Sequence, residues 1–134
     1  MPRRHDKPRR LVADGREYMW TVRHSHRKDA AGRPVDCRQT LTLSPRPAGS
    51  GRLRIVFAEG PDRYVPGGAP LGSGDVGFIR GSGLNLHEPG AARALLDAAR
   101  EAGWEDGGGG FAEMDGWSLL DAAAAKRAEA AGDG

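Results

Sequence analysis

One cysteine, Cys37, stands in 134 residues. It cannot close an internal disulfide or supply a cysteine-rich metal cluster, so the fold must rest on apolar packing. Long hydrophobic runs are missing too. Nothing approaches the roughly 18 to 20 apolar residues that a membrane-spanning helix needs, and no signal-peptide core follows the basic start. These absences predict a cytoplasmic protein. Aromatic residues make up only 6% of the chain, and lysine is scarcer still, with Lys7, Lys28 and Lys126 among 20 basic residues. Glycine is abundant at 21 residues, beside plentiful arginine and alanine. GC-rich coding produces the same trio, so arginine richness alone does not point to phosphate binding. The length predicts one small domain that buries about two thirds of its unfolded surface.

The net charge of +2 conceals an uneven distribution. Residues 1–63 hold 15 Lys/Arg against 7 Asp/Glu, whereas residues 64–134 hold 5 against 11. Such asymmetry marks a polyanion-binding face or an acidic segment that folds back on a basic one. Residues 1–10 combine five basic side chains with two prolines and no apolar periodicity, which predicts a disordered basic arm. Residues 11–131 then form a single domain, with flexible glycine-rich segments near 66–74 and 107–110 and a short tail at 132–134.

Alternation dominates the first half. Tyr18, Trp20 and Val22 share one face of a strand over 17–23, with Met19 out of pattern. A polar connection, 24–34, leads to the clearest alternation, in which Val35, Cys37, Gln39, Leu41 and Leu43 face one way and Asp36, Arg38, Thr40, Thr42 and Ser44 the other. After proline- and glycine-rich turn chemistry at 45–51, Leu53, Ile55 and Phe57 define a third strand. The short connections predict an antiparallel meander. Residues 60–74 read as an irregular loop, followed by strands at 76–80 and 84–86. Pro89 opens a helix whose Ala92, Leu95, Leu96 and Ala99 share one face; Gly103 ends it, and Trp104 is expected to fold back, buried, against the last turn. Beyond the glycines, 111–114 suits an added strand. Asp115-Gly116 suits a turn, and Ser118 with Asp121 reads as the cap of a weaker alanine-rich helix. The fold expected is α+β: an antiparallel four- to five-stranded sheet packed on one amphipathic helix, with a second helix at the C-terminus.

Motifs for chemistry are few. Gly72 to Gly77 spells G-x-G-x-x-G, but a loop precedes it and a strand follows, which removes the helix N-terminus a pyrophosphate would need. No Gly-Lys-Ser/Thr occurs. Two imidazoles in His24-Ser25-His26 could share a side of an extended segment with Cys37 nearby. However, Cys37 is in phase with Val35 and Leu41, and a buried thiol behaving as a small hydrophobe is the simpler account, so no metal site and no cofactor are predicted. Neither Cys37 nor any serine carries a nucleophile signature with His24, His26 or His87. His87-Glu88 suits the start of the helix. Glu101, Glu105, Asp106, Glu113 and Asp115 read as a solvated acidic rim.

One constellation stands out. Opposite the apolar side chains, the three leading strands present Arg23, Arg38, Arg52 and Arg54 with Thr21, Thr40 and Thr42, and with Met19 and Val56 among them. This arginine- and hydroxyl-rich face could meet phosphates or an acidic protein surface, or be covered by the chain's own acidic end. The segment from Leu84 to Trp104, with its Pro-Gly helix start and Gly-Trp ending, resembles small bacterial α+β proteins, as do the strands over 17–22 and 52–57. That resemblance implies structure and no activity. The sequence therefore favours a non-enzymatic module that binds an acidic protein through the basic face or arm. The alternatives are a nucleic-acid-binding protein using the same surface, and a small-molecule-binding protein or enzyme with residues 60–83 as a lid. An open sheet edge would also allow a homodimer.

Overall fold

A computed structural model describes residues 8–46, 51–65, 75–78, 81–105 and 110–133. The chain opens with β1 (Arg9–Ala13) and β2 (Arg16–Lys28), paired antiparallel across Asp14-Gly15. Both turn residues have positive φ, 53° and 78°, as a tight hairpin turn with the twist of its strands requires. The sheet thus takes in Arg9 and Arg10, which were assigned to the arm. Residues 1–7 lie outside the described set, as do 66–74 and 107–109 of the expected flexible segments.

β2 pairs with β3 (Pro34–Pro45), and β3 with β4 (Arg52–Ala58), completing a four-strand antiparallel meander. The strand expected to stop at residue 23 continues to Lys28 because its polar outer half gains ladder partners on β3 instead of apolar cover. Asp29 closes this hairpin, its carboxylate accepting the backbone N–H groups of Ala31 and Arg33, both at 2.9 Å.

The expected all-antiparallel sheet needs correction at its far edge. There β8 (Phe111–Asp115) runs parallel to β4, giving the order β1-β2-β3-β4-β8 in a five-stranded mixed sheet. Parallel pairing needs a long crossover, and the chain between β4 and β8 supplies it. Within that crossover, β5 (Arg63–Tyr64), β6 (Asp75–Phe78) and β7 (Gly83–Asn85) make a separate three-stranded sheet. The strands foreseen near 76–80 and 84–86 therefore pair with each other, not with the meander.

Helix α1 (Pro89–Glu101) begins with its proline in the first turn. Its N-terminal carbonyl cap is the backbone of Glu88, which accepts from Ala91 and Ala92; the Glu88 side chain makes no cap. At the other end Gly103 has φ 110°, Trp104 N–H reaches Ala99 O and Gly103 N–H reaches Arg100 O, each at 3.0 Å. This left-handed termination turns Trp104 back against the core, half-buried where full burial was expected. After β8, Asp115 caps a single 3-10 turn, Gly116–Ser118, by accepting from Trp117 N–H, and α2 (Leu120–Asp133) follows. Ser118 donates to Asp115 O rather than capping α2 as expected.

The core lies between the sheet and the two packed helices. Tyr18, Trp20, Leu41, Leu43, Leu53, Ile55 and Phe57 from the sheet meet Leu86, Leu95, Leu96 and Leu120, all fully buried. Trp117 stacks edge-on to Phe57 at 5.2 Å and donates to Ala58 O at 2.8 Å, tying the 3-10 turn to β4. No helix among the described residues is long and apolar enough to cross a membrane.

Candidate functional site: an arginine face and its reverse side

Pleating sends alternate residues of β2, β3 and β4 to opposite sides. The apolar set goes under the helices, which leaves the polar set on an outer face. There the structure brings all six predicted residues, Arg23, Arg38, Thr40, Thr42, Arg52 and Arg54, into one trough of about 520 Å³. Strand residues alone line it, and no described residue of 60–83 or of either helix does so. Of the acidic C-terminal end only Glu113 reaches this face among the described residues, while α1 and α2 pack behind the sheet, so those helices do not cover it as one expectation had it.

Register fixes the spacing of the arginines. Successive rows across the sheet are Ser25 with Arg38, then Arg23 with Thr40 and Val56, then Thr21 with Thr42, Arg54 and Glu113, and then Arg52 beside Phe111. Among the residues that line the trough each row carries one arginine, on β3, β2, β4 and β4 in turn; Arg10 of β1 extends the last row outside the trough and pairs with Glu17. Rows of the same face lie two residues apart, roughly 7 Å along the strands. The guanidinium groups of Arg23, Arg38 and Arg52 are exposed and make no hydrogen bond or ion pair with another described residue. Arg54 lies over the ring of Phe111 at 4.5 Å, which holds its planar group toward the trough's rim.

Ser25, Ser44 and Glu113 join the site and were missed as site residues. Ser44 was already in phase with Thr42. Ser25 was lost with the early end assigned to β2, and Glu113 enters only through the parallel pairing of β8, which no local pattern announces.

Behind the outer end of the same hairpin lies a different cluster. Ligand atoms of His24, His26 and Cys37 all fall within 4.8 Å of one another. A bulge lets this happen: two residues of β2, from Ser25 to Arg27, span three of β3, from Arg38 to Val35. Asp36 takes φ 55° within it, and its carboxylate binds Arg27, which sets Cys37 facing inward. Burial, with His26 nearby, holds His24 below the ordinary imidazole pKa. Burial and the carboxylates of Glu59 and Asp36 push the Cys37 thiol up. No family model, curated protein or solved structure matches this chain.

Proposed function

We propose that this protein is a non-enzymatic interaction module whose arginine face holds an acidic segment of a partner protein. The observation that carries the reading is one unpaired or rim-held arginine per row, in rows roughly 7 Å apart. An extended peptide also presents same-side side chains every two residues, so alternate Asp or Glu would pass one guanidinium per row, the long arginine side chains reaching across the offset between β2, β3 and β4. Thr21, Thr40, Thr42, Ser25 and Ser44 supply hydroxyl donors between them, and Val56 supplies an apolar patch.

The cost of assembling this surface without a ligand is small. Even at the row spacing of Arg52 and Arg54, two residues apart on β4, two like charges about 7 Å apart in water repel by about 0.6 kcal/mol; the pairs on different strands are farther apart, and salt screens them all. A nucleic acid is the competing occupant. Against it stand a face whose one exposed ring, Phe111, is already covered in part by Arg54, and the lack of any helix among the described residues placed to enter a groove.

The test compares a labelled peptide of alternating glutamate and serine with a single-stranded oligonucleotide of equal charge. The wild-type protein should bind the peptide, with affinity falling as salt rises. Exposed charge pairs contribute up to about 1 kcal/mol each, so the Arg38→Ala, Arg52→Ala, Arg54→Ala triple variant should weaken binding about 10- to 100-fold. Unchanged peptide binding in the triple variant rejects the arginine face. Oligonucleotide binding that exceeds peptide binding and is lost in the same variant transfers the face to nucleic acid.

A further inference from the structure

We propose that His24, His26 and Cys37 form a zinc-class metal site of two imidazole nitrogens and one thiolate, with a fourth position open to solvent or an added ligand. Sequence reasoning favours a plain buried thiol at Cys37, and three observations argue for more than that.

The first is convergence. Tetrahedral zinc with bonds of about 2.0–2.1 Å to nitrogen and 2.3 Å to sulfur sets its ligand atoms about 3.4–3.6 Å apart. The three side chains already lie within 4.8 Å of one another, from two strands and across a bulge that places Cys37 opposite His26. Rotations of the imidazoles about their side-chain bonds cover the remaining ångström or so, and the rings stand 5.3 Å apart at a tilt of 53°.

The second is an orphaned nitrogen. His24 Nε2 is shut off from solvent with no hydrogen-bond partner. Leaving a buried polar atom without a partner is costly, and a metal ion is one partner that satisfies a nitrogen lone pair.

The third is Gln39, a buried polar residue in an otherwise apolar row, only 3% exposed. Its amide lies 3.2 Å from His24 Nδ1. The amide nitrogen faces Nδ1; a half-turn of the amide about its last side-chain bond puts its oxygen there, so that Nδ1–H donates to Gln39 and Nε2 presents its lone pair outward, as in metal-binding histidines held by a second hydrogen bond. Threonine or serine would fill the row with less buried polarity; the long amide reaches the imidazole.

The donor set selects the ion. One thiolate with two imidazoles suits borderline-soft divalent metals, and excludes calcium and magnesium, which take oxygen ligands. Binding releases the Cys37 thiol proton to solvent, and the carboxylates of Asp36 and Glu59 that oppose a bare thiolate favour a cation beside it. The ion would join β2 to β3 directly behind Arg23 and Arg38.

Protein purified without a histidine tag and stripped with chelator is titrated with cobalt(II) and then with zinc(II). The expected result is one-to-one binding, with a near-ultraviolet thiolate-to-cobalt band and intense visible bands of four-coordinate cobalt, both bleached by zinc. His26→Ala alters an exposed side chain and leaves the fold intact; it should weaken cobalt binding at least tenfold. Cys37→Ser should abolish the near-ultraviolet band, and Gln39→Leu should weaken binding about 10- to 100-fold. Absence of the thiolate band in the wild-type protein overturns the proposal. So does cobalt affinity that His26→Ala leaves unchanged.

Discussion

At the scale of single residues, close approach explains more than propensity does. Gly116 begins the 3-10 turn because a Cβ there would come within 2.5–2.6 Å of the Phe57 ring atoms. Phe57 cannot yield, since it is fully buried and stacked edge-on against Trp117. Gly116→Ala should therefore destabilise the protein by about 1–3 kcal/mol through overpacking, seen as a lower midpoint in urea with little change in slope. A shift under about 0.5 kcal/mol would show that the turn relaxes freely. The sequence reads as strand, turn and helix here because Asp-Gly is a strong turn signal, and that order is found. Here the aspartate caps a helical turn and the glycine makes room for a ring. The same dipeptide at Asp14-Gly15 does make a hairpin, and it marks the strand β1 that went unread.

At the scale of elements, legibility followed local apolar pattern. β3, β4 and α1 could be read because their buried residues recur with period two or at one-face helical spacing. The outer half of β2 could not, since His24 to Lys28 show no alternation and are held by pairing. β8 could be suspected as a strand but not placed, because its parallel register with β4 is a long-range choice. The β2–β3 tip gives a pH prediction. A hydrogen bond from the backbone N–H of Arg33 holds the Asp29 carboxyl below its ordinary value; desolvation opposes it, and hydrogen bonds from the backbone N–H of Ala31 and the Arg33 side chain add to it. A lowered folded-state pKa means the charged form supports the fold. That support is complete above the ordinary carboxylate value of about 3.9 and is lost as pH falls below it, through the lowered value. Amide exchange at Ala31 and Arg33 should speed up, beyond its intrinsic pH dependence, on acidification through that range, and Asp29→Ala should show the fast exchange at neutral pH. Exchange at these amides that Asp29→Ala leaves unchanged would mean that the backbone bonds between Asp29, Gly32 and Arg33 hold the tip without the side chain.

At the scale of the whole molecule, the sheet separates two jobs. One face is apolar and lies under both helices; the other is lined by arginine and hydroxyl groups with no described helix over it. Arg23, Arg38, Thr40, Thr42, Arg52 and Arg54 could be grouped on one face from the sequence because a strand's period of two fixes which side chains share a face. Their one-per-row spacing could not, because it depends on cross-strand register. The charge asymmetry of the chain also takes on a spatial meaning. The basic half builds most of the sheet face, to which the acidic half adds Glu113, and the helices of the acidic half cover its back, where Asp97 pairs with Arg93 and Glu101 with Lys126. The most direct measurement is the chemical-shift map of the amide spectrum during titration with the alternating glutamate–serine peptide. The account predicts that the largest shifts fall on 21–25, 38–44, 52–56 and 113, the rows that line the trough, and that α1 and α2 stay still. Shifts confined to the helices or to residues outside the trough would contradict it.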